Sequence, residues 1–183
     1  MSRQRKRYNT AYKKEADVER DVYLFKRSPK GLLSCQGCGA VYYRQRWTLE
    51  PPAEIRKRIA LADGVSLIYC PGCQKIRDHY WLGVVQISGV DSAEKVELLK
   101  LLRNEERRAR EKNPLERIMR IVSEDADLRV ETTTEKLAQR LGRCLYKARG
   151  GRIDYKWSHR NKFARVIWEN KRSERDPINP VTR

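Results

Sequence analysis

The chain has 183 residues, 39% of them hydrophobic, and its 41 lysines and arginines outnumber 24 aspartates and glutamates to leave a formal net charge of +17 at pH 7. That length and apolar content suffice for one medium core or two small ones. The positive excess points to a polyanionic partner, nucleic acid ahead of anionic membrane, and argues against an enzyme acting on neutral small molecules. No apolar run approaches the ~20 residues of a membrane span, and the basic start "MSRQRKRYNTAYKK" has no apolar stretch behind it that would make a signal peptide, so a cytoplasmic protein is expected.

In chain order, residues 1–31 read as an extended basic arm, rich in Lys and Arg and poor in aliphatics, that need not fold alone. Residues 32–90 form a cysteine module, with "PPAEIRKRIALADG" as a short helix or loop excursion and "WLGVVQISG" as its closing strand. From Asp91 the pattern turns helical. Val96, Leu98, Leu99, Leu101 and Leu102 form the apolar stripe, and the mixed charges of "RNEERRAREK" read as a solvated continuation with Glu106 and Arg110 at helical spacing. "ERIMRIVSED" and "LRVETT" read as two strands. Thr132 and Glu135 read as a capping box opening the helix "EKLAQRLGRCLYKARG", which stops at Gly150 and Gly151. Ile153, Tyr155 and Trp157 then alternate with polar residues, a turn follows near His159, and "FARVIWE" returns as the second strand of a hairpin. The expected class is α+β, a four-cysteine zinc ribbon or knuckle module followed by an antiparallel sheet covered by helices (α-β-β-α-β-β) over 91–169, with a polar tail at 170–183.

Cys35-x-x-Cys38 and Cys70-x-x-Cys73 supply four thiolates from two short loops, the set a tetrahedral ion of borderline softness takes. One structural zinc is the expected cofactor. With four protein ligands it keeps no position open for water or substrate, so no catalytic residue is assigned. The run "CQGCGAVY" followed by "CPGC" also resembles the rubredoxin iron site, but Gln74 stands where that family has glycine, and its members are short acidic electron carriers. Cys144 falls among Leu141, Leu145 and Ala148 and reads as a core residue; His79 and His159 stand apart from any ligand constellation.

Three basic elements are candidates for phosphate contacts. In the last helix Lys136, Arg140, Arg143 and Lys147 fall in one stripe opposite the apolar side, with no acidic residue among them, although like charges at this spacing destabilise a helix. Beside the cysteine pairs, Arg44, Arg46, Lys75 and Arg77 interleave with rings including Trp47. Those rings either stack on unpaired bases or form the module's small core. The arm adds Arg3, Arg5, Lys6, Arg7, Lys13 and Lys14. Folded RNA such as ribosomal RNA suits all three. A DNA-binding regulator is the alternative, but it would need a groove-entering helix, and Gln139 is the only base-reading amide in this stripe.

The cysteine pairs, the strand after them and "RIMRIVSEDADLRVETTTEKLAQRLGRCL" resemble small prokaryotic relatives of the large-ribosomal-subunit export adaptor, the Nmd3 family, over residues 32 to 150. Ala138 and Leu145 match an alanine and a leucine of its strand-helix segment. The resemblance implies docking on the large ribosomal subunit, on its intersubunit side, with the zinc module on ribosomal RNA. Such a protein would act in subunit assembly or in dormancy (hibernation), as a monomer without a small-molecule substrate. A leucine-rich export tail is not seen, so nuclear export is not carried over.

Overall fold

The computed structural model describes residues 21–124, 127–158 and 163–171. Four short strands come from the first part of the chain: β1 (Leu32–Cys35), β2 (Val41–Tyr43), β3 (Arg46–Thr48) and, after helix α1 (Ala53–Ala60), β4 (Val65–Ile68). They form one sheet in the order β3-β2-β1-β4, antiparallel except for the parallel pair β1 and β4. Its core is small: Leu33, Ala40 and Trp47 pack with Cys35, Cys70 and Cys73. The helix α1 buries none of its residues, so "PPAEIRKRIALADG" is an external excursion between β3 and β4.

After helix α2 (Pro71–Arg77) comes β5 (Gly83–Ser88). This strand was expected to close the cysteine module, and it does not. It lies at the centre of a second sheet, β6-β7-β5-β9-β8, built with β6 (Ile118–Glu124), β7 (Asp127–Thr132), β8 (Arg152–Ser158) and β9 (Phe163–Glu169). Buried Val84 on one face, with Val85 and Ile87 also buried, suits a central strand and not a half-solvated closing one. The sheet is also mixed where a wholly antiparallel one was expected. Strand β9 inserts between β5 and β8 and runs parallel to β5, which the long intervening crossover permits.

Helices α3 (Ser92–Lys112) and α4 (Glu135–Arg149) complete the expected order of elements after residue 91. Leu137, Ala138, Leu141 and Leu145 of α4 are fully buried with Val85, Val130, Val166 and Trp168 from the sheet. Gly142 allows this approach, since a Cβ there would stand 2.5 Å from Val166 Cγ1. In α3 the buried line is Leu98, Leu102, Glu106 and Ala109, whereas Val96 faces solvent. The charged tail is solvated over Arg103, Asn104, Arg107, Arg108, Glu111 and Lys112, but Glu106 turns inward with Ala109. Glu106 accepts a 2.8 Å hydrogen bond from the Ile118 amide and holds the entry to β6.

The capping positions also shift. Thr132 ends β7, paired with Gly83 and Ile118, so Thr134 caps α4 by accepting from the Leu137 amide. A full capping box lies instead at Asp91 and Glu94, at the start of α3. No helix among the described residues is long and apolar enough to cross a membrane.

Candidate metal centre and cationic surface

The four sulfurs of Cys35, Cys38, Cys70 and Cys73 lie within 4.8 Å of one another. Cys38 Sγ and Cys70 Sγ are 3.7 Å apart. A tetrahedron with metal–sulfur bonds of ~2.3 Å has edges of ~3.8 Å, so the spacing fits one such ion. The two pairs are held differently. Cys35 ends β1, and the turn to β2 is closed by bonds from the Gly39 amide to Cys35 O and from the Cys35 amide to Ala40 O. Gly39 has φ +72°, which glycine adopts without strain. Gly37 packs so close to the second pair that a Cβ would meet Cys73 Sγ at 3.0 Å.

The second pair was expected in a short loop but opens a helix: Cys70 is the N-cap of α2, followed by Pro71. Its sulfur accepts from the Cys73 amide at 3.4 Å, and the Cys70 amide donates to Cys35 Sγ at 3.2 Å. Such donors stabilise thiolates. The proton-bearing state is frustrated. Cys38 is drawn down to about 5 by the hydrogen bond from Cys70, Cys70 is pushed up by that same bond and then by burial, and Cys73 is pushed up to about 11, chiefly by burial. A bound cation would take the place of the protons that Cys70 and Cys73 hold.

One further donor comes from the other half of the chain. Arg117, just before β6, reaches across and donates from a guanidinium nitrogen to Cys73 Sγ at 3.2 Å. Its amide is fixed by Thr133 Oγ1 at 2.8 Å. Four thiolates around a divalent ion carry net negative charge, and Arg117 offsets part of it. Leu115 packs on the cysteine core beside Gly72. The metal site is thus built against the second sheet's domain, a partner that no local motif around the cysteines signals.

The predicted phosphate ligands divide. Arg44 and Arg46 are exposed at the β2–β3 turn, where Arg44 and Gln45 take φ +48° and +63° and Arg44 lies 5.2 Å over the Tyr43 ring. Trp47 is only 7% exposed and packs with Tyr42 and Phe25, so it is core and not a stacking ring. Lys75, 4% exposed, is ion-paired with Asp21, donates to Thr133 O and lies over the Tyr23 ring. It ties the end of the arm to the junction of the two halves and is not displayed to a ligand. Arg77 is exposed, beside Asp78 and over Tyr69.

On α4, Arg140 is engaged by Glu105 at 2.9 Å and by Glu116 at 3.8 Å, both from outside its helix. The stripe that looked unmixed in the linear chain acquires its carboxylates from α3 and the segment after it. Lys136, Arg143 and Lys147 remain exposed, with no ion pair among the described residues. Arg143 and Lys147 line a cleft of about 470 Å³ between α3 and α4 with Arg108, Glu105 and Cys144. Cys144 is therefore half-buried on that cleft and not a core residue; burial pushes its thiol up, away from a reactive thiolate. Arg3, Arg5, Lys6, Arg7, Lys13, Lys14 and His159 lie outside the described residues.

No protein-family model matches the chain, and no curated protein is similar to it.

Proposed function

We propose that the chain is a nonenzymatic, zinc-stabilised RNA-binding protein that docks on ribosomal RNA, on the large subunit near its intersubunit face, and acts in subunit assembly or dormancy as a relative of the Nmd3 family. The observation that carries the reading is selective pairing on α4. Arg140 and Arg149 each meet a carboxylate from α3, whereas Lys136, Arg143 and Lys147 face solvent beside one another in a chain of net charge +17. Cations left unneutralised on a rigid helix contribute to phosphate binding by releasing counterions from the polyanion.

The cysteine cluster supports a structural role, because four sulfurs from the chain would complete a tetrahedral shell and leave no position for substrate. Zinc suits this set and brings no redox chemistry; held there, it would fix the β1–β2 turn, at the opposite end of β2 from the turn that carries Arg44 and Arg46. A DNA-binding regulator is less well supported. One side of α4 is buried on the sheet and another meets α3 at Arg140, so little of the helix is free to enter a major groove.

The test is sedimentation of extract from growing and starved cells through sucrose, with the chain traced by antibody. Migration with immature large subunits supports assembly, and migration with idle whole ribosomes supports dormancy. A chain that stays at the top of the gradient at low and moderate salt overturns the reading. The double variant Arg143→Glu, Lys147→Glu should weaken particle binding and reduce the steepness of its salt dependence by about one phosphate contact per residue.

A further inference from the structure

Sequence alone left open which rings, if any, stack on bases, and the structure takes three of the four tryptophans out of that role. Trp47 and Trp168 are buried, and Trp81 is held between Phe163 and the Arg129 guanidinium, 5.2 Å and 5.3 Å from its ring. Trp157 differs. It is 52% exposed, on β8, which is an edge strand of the second sheet. Its ring lies parallel to Tyr155, with centroids 6.3 Å apart and planes at 23°. Tyr155 is anchored below, its hydroxyl close to Gly142 of α4. The pair is therefore a stacked platform with a fixed inner ring and an outer ring open to solvent.

The surroundings are cationic. Arg143 follows Gly142 directly on α4, and Tyr146, 50% exposed, comes one turn later. On the other side of β8, Arg152 and Lys156 are exposed, with Asp154 the one carboxylate on the strand. Rings flanked by cations on both sides suit a strand whose bases are unpaired: each base has a face for a ring, and the phosphates run past the charges. A duplex offers no free base face to such an edge.

Resting on the RNA-binding reading above, we infer that Trp157, stacked on Tyr155 and flanked by Arg143 and Lys156, is a base-stacking platform that selects unpaired over paired RNA. The experiment uses the full chain, a labelled mixed-sequence single-stranded RNA of about a dozen nucleotides, and the blunt duplex of the same sequence. The single strand should bind more tightly. Trp157→Ala should weaken it by about 5- to 150-fold, the range for loss of one stacked base, while duplex affinity changes less than about 2-fold. Trp157→Phe, which keeps a ring, should restore most of the affinity. Ring-dependent quenching of tryptophan fluorescence by the single strand should disappear in Trp157→Ala.

Equal affinity for the two RNAs, or single-strand binding unmoved by Trp157→Ala, overturns the platform while leaving a phosphate-binding surface intact. A loss seen only on whole ribosomal particles, with free RNA binding unchanged, assigns Trp157 to a protein partner and overturns it too. Absence of binding to either RNA and to ribosomal particles removes the RNA reading itself, and the platform with it.

Discussion

The two sheets are held together by different physics. The second has a continuous apolar core in which α4 and α3 cover strands carrying Val85, Ile87, Val130, Val166 and Trp168, all at most 1% exposed. The first has four strands of three or four residues, and three of the six buried residues in its core are the cysteines themselves. A core that small rarely sustains a fold, and small domains compensate with metals or disulfides. The difference teaches where each half can derive its rigidity: one from burial, the other from an ion that its four clustered cysteines could hold.

The strongest way to break that comparison is to strip the metal. A chelator, or Cys70→Ser, should abolish the protection of β1 to β4 amides against hydrogen exchange while the β5 to β9 amides keep theirs, because structural zinc provides about 10 kcal/mol or more of folding free energy to such modules. Elemental analysis of the untreated chain should return one zinc per chain; a coloured protein containing iron would replace zinc in the centre. Equal loss across both sheets would show that they unfold as one unit.

The converse substitution, Leu141→Ala, removes a fully buried side chain from the second core. It should destabilise that half by about 2–5 kcal/mol, read by denaturant melts, and leave stoichiometric metal binding under native conditions. Loss of metal at the same denaturant concentration would mean that the halves are more tightly coupled than their cores suggest.

The smallest effect sharpens the link between them. Arg117→Ala deletes the guanidinium donor to Cys73 Sγ, and by the usual weight of outer-shell partners should lower zinc affinity about 10–100-fold without unfolding the second sheet. Competition against a chromophoric chelator measures it. Arg117→Lys should recover part of the loss, since it restores the charge without the planar fork. An unchanged affinity would reduce that contact to packing.

Much of the second half was legible because its signals are local. The periodicity of "EKLAQRLGRCLYKARG" and the alternation of Ile153, Tyr155 and Trp157 each mark one element, and the order α-β-β-α-β-β is present from α3 to β9. The misreadings share a cause. Thr132 and Thr134 offer equivalent side-chain oxygens, and only the pairing of Thr132 with Gly83 decides that it belongs to the strand. Strand β5 reads as apolar in any context, and nothing near it announces that its neighbours lie some forty and eighty residues downstream. For the candidate site, the four cysteines were legible from spacing, whereas Arg117 carries no motif and is brought in by the position of β6.

Sequence by itself picked out the four cysteines that cluster as candidate ligands, the positive charge and the positions of both helices of the second half, because spacing, composition and period are properties of consecutive residues. Only tertiary structure decided which basic and aromatic side chains remain available. It buried Trp47 and Lys75, gave Arg140 to Glu105, and left Arg143, Lys147 and Trp157 at the surface. Availability depends on what packs against a residue, and those partners come from distant parts of the chain.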